Sequence, residues 1–335
     1  MQFGLYNIIT LLGALALFIY GMKIMSEAIQ KVAGARMREV LQAMTANPLL
    51  GVFTGFSVTS LIQSSSATTV MIVSFVNAGL LNLRQSIAVI MGANLGTTIT
   101  AWLVAILGLG LFSVTDLSLP ILAIVLPLLF INREKVKQWG EVLFGFAILF
   151  LGLSFMRQAL PDLGENPGIL DFFAQFSYQG RSYLGQVGLA ALFTLAGAII
   201  TLMLQSSSAA MALTLVLTAN GWISFPLAAA IILGENIGTT VTANVAALVA
   251  NVHAKRAARA HFLFNLFGAV AVVLFFPFFL DFIAWLSALF FNAAPFDQKE
   301  DIALSLSLFH TVFNLLNLLL FFNLIGFLAK VSTLM

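Results

Sequence analysis

Gln63-Ser64-Ser65-Ser66-Ala67 and Gln205-Ser206-Ser207-Ser208-Ala209 are the same five residues written twice into a chain otherwise rich in Leu, Phe, Ile, Val and Ala. Amides and hydroxyls supply oxygens and donors without a fixed charge. Where a helix breaks in a low-dielectric setting, one half-helix start exposes N–H groups that attract anions, and one half-helix end exposes carbonyls that coordinate cations. Serine and glutamine at such a break suit a site that holds an anion beside a hard monovalent cation. A single Ser-Ser-Ser in an apolar helix is ordinarily hydrogen-bonding glue between helices. Duplication in register makes a site the better reading.

Each copy is followed by Gly-x-Asn-x-Gly-Thr-Thr-x-Thr-Ala, at 92–101 and 234–243. Gln63 to Asn94 and Gln205 to Asn236 are both 31 positions apart, so residues 54–106 align with 196–248 at a constant offset of 142 without a gap. Upstream, Leu17 through Met25 resembles Ile148 through Met156 at an offset of 131. The glycines are expected to weaken the second element at a defined point. Asn94, Thr97 and Thr98, with Asn236, Thr239 and Thr240, would satisfy the freed backbone. The expectation is an unwound helix facing each serine-rich break, the four elements enclosing one pseudo-symmetric cavity.

Other polar groups are weaker candidates. His261 and Asn265, and His310 and Asn314, form two His-x-x-Phe-Asn patterns whose spacing puts each His and Asn on one helical face. They suit either a cavity lining that relays protons or, more readily, buried hydrogen-bonded pairs tying helices together. Glu235, beside Asn236, is either a cation ligand or a structural contact, and its repeat equivalent is Ala93. Lys23 and Glu27 stand one turn apart, where mutual pairing or snorkelling is the default.

The elements that carry these residues must lie in a bilayer. With 61% hydrophobic and 8% charged residues, the chain falls far below the quarter or so of charged residues that a soluble domain carries. Apolar runs of about 20 residues point to spanning helices rather than the short alternating segments of a barrel. No cysteine is present, the three histidines show no ligand cluster, and no metal site is expected. A net charge of +2 gives no argument for nucleic acid. The first apolar run lacks a basic leader and is read as a retained helix.

Full crossings are expected at 5–29, 86–110, 118–132, 140–160, 226–250, 260–282 and 303–328. The serine-rich segments, 49–80 and 185–219, each read as two short apolar arms around a polar tip, a re-entrant hairpin. Lys31, Arg36 and Arg38, then Arg133, Lys135 and Lys137, then Lys255, Arg256 and Arg259 fall on one side, the cytoplasmic one by the positive-inside rule. Asp116, Asp162, Glu165, Asp171, Asp297, Glu300 and Asp301 fall on the other. Equivalent loops of the two repeats therefore face opposite sides. The fold class is an all-α integral membrane protein of two inverted-topology repeats, each with a re-entrant hairpin and an unwound transmembrane helix, an architecture of secondary transporters. Its expected divisions are residues 1–135, 136–282 and a C-terminal helix in 283–335, with no soluble regulatory domain after it.

Gln63 through Thr69 with Gly92-Ala93-Asn94-Leu95-Gly96-Thr97-Thr98, repeated from 205 and 234, resembles the type II sodium/phosphate cotransporter family in a bacterial form. The resemblance covers about residues 5–328. It implies sodium-coupled uptake of inorganic phosphate through the inner membrane, with sodium ions co-transported rather than resident. Carried over residue by residue, Gln63, Ser64, Ser65, Ser66 and Thr68, with Gln205, Ser206, Ser207 and Ser208, become phosphate and sodium ligands. Asn94, Thr97, Thr98, Asn236, Thr239 and Thr240 join them as further members. Inorganic phosphate and the lipid bilayer are the implied partners, with a homo-oligomer and a separate cytosolic regulator left open.

Neither duplicated motif contains Lys or Arg, so bound cations would have to offset the charge of a phosphate in a low-dielectric cavity. A transporter of another small oxyanion, coupled to sodium or to protons through Glu235, His261 or His310, is the first alternative. A membrane phosphate sensor or scaffold is the second. No nucleophile, base and orienter constellation suggests an enzyme.

Overall fold

The computed structural model describes residues 4–43, 47–110, 114–161 and 166–334. It is 85% helical, with no strand among the described residues. The helices are α1 (Leu5–Ala43), α2 (Pro48–Ile62), α3 (Ser65–Asn77), α4 (Leu83–Leu103), α5 (Ser118–Val125), α6 (Glu134–Ala159) and α7 (Pro167–Ala174). They are followed by α8 (Tyr183–Leu204), α9 (Ser207–Ala219), α10 (Phe225–Ala247), α11 (Val252–Leu274), α12 (Phe276–Phe291), α13 (Ile302–Phe322) and α14 (Ile325–Leu334). Seven helical stretches among the described residues are long and apolar enough to cross a membrane: 5–33, 83–108, 134–159, 183–204, 225–247, 252–274 and 299–322.

The number of crossings agrees with the expectation; their identity differs at two places. The run expected at 118–132 is a composite of α5 and short 3-10 turns, Val114–Phe130, below spanning length. Pro127 opens the second of those turns, where its missing N–H ends regular α-helical pairing. Conversely, α8 is a 22-residue apolar helix rather than a short arm. Its polar break falls at its far end. The stretches expected at 260–282 and 303–328 also each divide, at Phe275 and near Asn323, into a spanning helix and a shorter successor. Asp162 and Glu165 lie outside the described residues.

Two ends of the bundle are fixed by hydrogen bonds. α1 and α6 run antiparallel, with Lys31 Nζ donating to Glu141 at one end (2.7 Å) and Asn7 Nδ2 donating to the Ala159 carbonyl at the other (3.2 Å). The α3–α4 turn is joined to the α10–α11 turn, where the Asn251 backbone N–H donates to Asn77 Oδ1 (2.7 Å) and Asn251 Nδ2 to the Asn77 carbonyl (2.9 Å). The equivalent α9–α10 turn lies at the other end of α10. There Asn220 Nδ2 donates to the Arg157 carbonyl and Trp222 Nε1 to the Pro161 carbonyl, near the C-terminus of α6.

α4 and α10 correct a central expectation, because both are continuous α-helices through their Gly-x-Asn-x-Gly segments. The glycines do not unwind the helix; they let another backbone lie against it. A Cβ on Gly92 would sit 1.9 Å from the Val52 carbonyl oxygen in α2, and one on Gly234 would sit 1.9 Å from the Thr194 carbonyl oxygen in α8. Without side chains at these points, dispersion contacts between helices replace the hydrophobic drive that lipid cannot supply. The threonines point back to their own helices: Thr97 Oγ1 donates to the Ala93 carbonyl (3.1 Å) and Thr239 Oγ1 to the Glu235 carbonyl (2.8 Å). Thr98 and Thr240 likewise donate to Leu95 and Ile237.

Gly92→Ala and Gly234→Ala are therefore expected to cost at least about 2 kcal/mol each, in the upper part of the usual overpacking range. Gly13→Ala, where a Cβ meets nothing within 4 Å, is the neutral control. Thermal melting of the purified protein in detergent measures the difference.

Candidate functional site

Both serine-rich motifs fold as the same helix break. α2 ends in Gln63 at φ 57°, ψ 28°, and α8 ends in Gln205 at φ 51°, ψ 24°. The left-handed region costs a non-glycine residue roughly 1–2 kcal/mol. Its use by glutamine at both equivalent positions marks a side chain that glycine would not replace. The next residue restarts the chain: Ser64 and Ser206 are extended, and each hydroxyl accepts from the backbone N–H three residues on, Ala67 and Ala209, at 3.2 Å. α3 and α9 thus begin with a serine cap and leave the N–H groups of their first residues without intrahelical partners.

The two breaks meet. Gln63 to Ala67 and Gln205 to Ser208 line one cavity of about 250 Å³, whose remaining wall is the α1 face Ile19, Met22, Lys23, Ser26, Glu27 and Gln30. Ser65, Ser207 and Ser208 are buried beside it, and their hydroxyls and that of Ser66 have no protein partner among the described residues. Two helix starts and a set of uncommitted hydroxyls therefore converge on one small volume. Lys23 Nζ stands 3.9 Å from Glu27 Oε1, so this pair adds little net charge.

The copies share a backbone and differ in side-chain commitment. Gln63 is buried, its Oε1 accepting from Thr100 Oγ1 (2.9 Å) and its Nε2 donating to the Ser60 carbonyl (2.5 Å). Gln205 is exposed on the cavity wall. Thr68 is buried and turned into its own helix, donating to the Ser64 carbonyl at 3.0 Å. One turn before each break, the hydroxyls of Thr59 and Thr201 are buried with no partner among the described residues.

The asparagines of α4 and α10 lie elsewhere, in two matching nodes. His261 Nε2 donates to Asn94 Oδ1 (3.0 Å), Asn94 Nδ2 to Asn265 Oδ1 (2.6 Å), and Asn265 Nδ2 to the His261 carbonyl (3.1 Å). The second node repeats this order with His310, Asn236 and Asn314 at 3.2, 3.4 and 2.9 Å. All six side chains are buried. The nodes join α4 to α11 and α10 to α13, which is the helix-tying reading of the His-x-x-Phe-Asn patterns. Glu235 is buried too, its Oε1 accepting from Thr214 Oγ1 (2.8 Å), and it pairs with no cation among the described residues. Neither Glu235 nor the nodes line the cavity between the breaks.

Sequence reasoning passed over Ser26 and Gln30 and treated Lys23 and Glu27 as a self-contained pair. Their i, i+3, i+4, i+7 spacing along one face of α1 was the available signal.

Comparison with known proteins places these residues in a family context. The family model described as Na+/Pi-cotransporter matches residues 17–158 and 188–317. YjbB of Escherichia coli strain K12, provisionally named for inorganic phosphate export, is 33% identical over 271 residues, covering 80% of this chain and 47% of that protein. This chain thus spans about half the length of YjbB. The uncharacterized protein YqeW of Bacillus subtilis is 28% identical over 308 residues, 91% of this chain and 90% of that one. Sodium-dependent phosphate transport protein 2B of Homo sapiens is 42% identical over 109 residues, 32% of this chain and 16% of its own. No solved structure matches.

The unequal glutamines give a test. Gln63→Ala strands the buried Thr100 hydroxyl and is expected to destabilise the fold by about 1–3 kcal/mol. Gln205→Ala, on the cavity wall, is expected to stay within about 0.5 kcal/mol of the wild type. Thermal melting without ligand reads both.

Proposed function

Because the chain belongs to the Na+/Pi-cotransporter family, we propose that it is a multi-pass transporter of the bacterial inner membrane that moves inorganic phosphate together with sodium by alternating access. The observation that carries this reading is the convergence of both Gln-Ser-Ser-Ser breaks on one cavity. In it the first N–H groups of α3 and α9, with the hydroxyls of Ser65, Ser66, Ser207 and Ser208, receive phosphate oxygens. Carbonyls at the ends of α2 and α8, the Thr59 and Thr201 hydroxyls and the Gln205 amide are oxygens suited to sodium. The Lys23–Glu27 pair contributes nearly no net charge, so a phosphate enters at low cost only with its cations.

Two inverted-topology repeats, each with a re-entrant hairpin, supply the moving parts in this reading. The placement of the α3–α4 and α9–α10 turns at opposite ends of α10 supports it. So does the reciprocal packing of α1 and α6. A Cβ on Gly21 would meet Leu149 N at 2.3 Å, and one on its repeat equivalent Gly152 would meet Phe18 N at 2.5 Å. The Asn94 and Asn236 nodes hold α4 and α10 as the rigid backing for the hairpins. Sodium binds first, raises phosphate affinity, and the loaded hairpins shift the cavity from one side to the other.

Under an inward sodium gradient the proposed direction is import. The name of YjbB favours export as a second reading. Labelled phosphate flux in proteoliposomes separates them: accumulation driven by an inward sodium gradient, absent with choline, is the expected result. Efflux driven without regard to the sodium gradient would support export by another coupling, and phosphate movement equal in sodium and choline would contradict the cotransport reading. Ser65→Ala and Ser207→Ala each remove a donor to an anion, worth about 1.5–3 kcal/mol. Each is expected to raise the half-saturating phosphate concentration about tenfold or more; loss from one copy alone would contradict a shared cavity.

A further inference from the structure

A shallow recess open to solvent, with a volume of about 570 Å³, lies at the basic end of the bundle between the starts of α4 and α11 and the helix α14. Arg84, His253, Arg256 and Lys330 line it with Asn82 and Thr333, and no carboxylate stands in its wall. Residues 84, 256 and 330 are far apart in sequence and are brought together only by the fold. Among the described residues none of Arg84, Arg256 and Lys330 has an ion-pair partner. Two helix N-termini open beside it, capped by Asn82 on Gln85 N (3.0 Å) and by Asn251 on Ala254 N (3.0 Å), and their dipoles add positive potential. The Arg84 guanidinium reaches toward α14, its Nη2 3.9 Å from where a Cβ on Gly326 would be.

We infer that this recess is a binding site for a phosphate-bearing anion, distinct from the cavity between the helix breaks. Three cations around a shallow, open recess without a counter-ion repel one another, and an anion that bridges them relieves that repulsion. Two guanidiniums offer planar forks matched to phosphate oxygens, and Lys330 adds a mobile point charge. Topology alone explains positive charge on this face but does not require cations from three separate helices to gather around one recess: Lys135 and Lys137 satisfy the positive-inside rule from the start of α6, outside this recess. The position at the membrane boundary admits two sources of the same chemistry, the headgroup of an anionic phospholipid and free inorganic phosphate. Either occupant would clamp α4 to α11 and α14, the first two of which carry the Asn94, His261 and Asn265 node.

The test uses the purified full chain, its Arg84→Gln/Arg256→Gln double variant, and Lys135→Gln/Lys137→Gln as a control for general loss of charge on that face. Native mass spectrometry counts retained phosphatidylglycerol against phosphatidylethanolamine. Thermal melting in sodium-free buffer measures stabilisation by inorganic phosphate. A phosphatidylglycerol adduct at least fivefold depleted in the arginine variant and kept in the control identifies a lipid headgroup. Unchanged lipid with phosphate stabilisation lost in the arginine variant identifies free phosphate. Lipid retention and phosphate stabilisation both equal to wild type overturn the inference. If the arginine pair does not yield folded protein, Lys330→Gln, exposed on α14, carries the same comparison with an expected loss of at least twofold.

Discussion

A backbone amide or carbonyl inside a membrane must find a partner, and this constraint organises the whole molecule. Continuous helices meet it along most of the chain. At Gln63-Ser64 and Gln205-Ser206 the helical ladder is cut, and the freed groups are met partly by serine caps and partly by whatever enters the space between them. Because the two cuts face the same small cavity, the polar groups that would otherwise be a liability are concentrated where an ion can use them. The strain of a left-handed glutamine at each cut is sustained by the packing around it.

That packing depends on close approach of helices. α4 and α10 carry glycines where α2 and α8 press against them, so each cut is held against a rigid, unbroken helix. Behind each of these helices, a His-Asn-Asn node ties α4 to α11 and α10 to α13 with two interhelical hydrogen bonds, the third bond of each node lying within α11 or α13. Interhelical bonds in membranes average about 0.6 kcal/mol apiece, so their value lies more in fixing rotation and register than in bulk stability. In the proposed transport cycle, these unbroken helices are the backing against which the breaks would move.

Much of this was legible in the residues. The constant offset between repeats named both breaks, and hydropathy identified a multi-pass helical protein. The convergence of the two tips followed from the logic of duplication. The glycines were misread: a Gly-x-Asn-x-Gly run is equally a weak point and a contact surface, and only the neighbour that fills the missing side-chain volume decides which. The length of α8 was misjudged because the first arm of the 185–219 segment was read as too short to span, whereas it runs as an apolar helix over 22 residues up to the break at Gln205. Pro127 cut short an apolar run that hydropathy alone counts as a crossing. The α1 wall was overlooked because Lys23 and Glu27 satisfy each other on paper, whereas the residues that line the cavity opposite them lie about 40 and 180 positions away in sequence. The difference between Gln63 and Gln205 arises from the hydrogen bond to Thr100, which the sequence offers to both copies through Thr242.

Charge balance in the shared cavity is the central claim, and equilibrium binding of labelled phosphate to the purified protein tests it most directly. Binding would be measured in sodium and in choline at equal ionic strength, where surface screening is the same. Sodium should tighten phosphate binding at least tenfold, a coupling of about 1.4 kcal/mol between the two ligands, and phosphate should tighten sodium binding by the same factor. Equal phosphate affinity in the two salts would contradict the claim that cations complete the site.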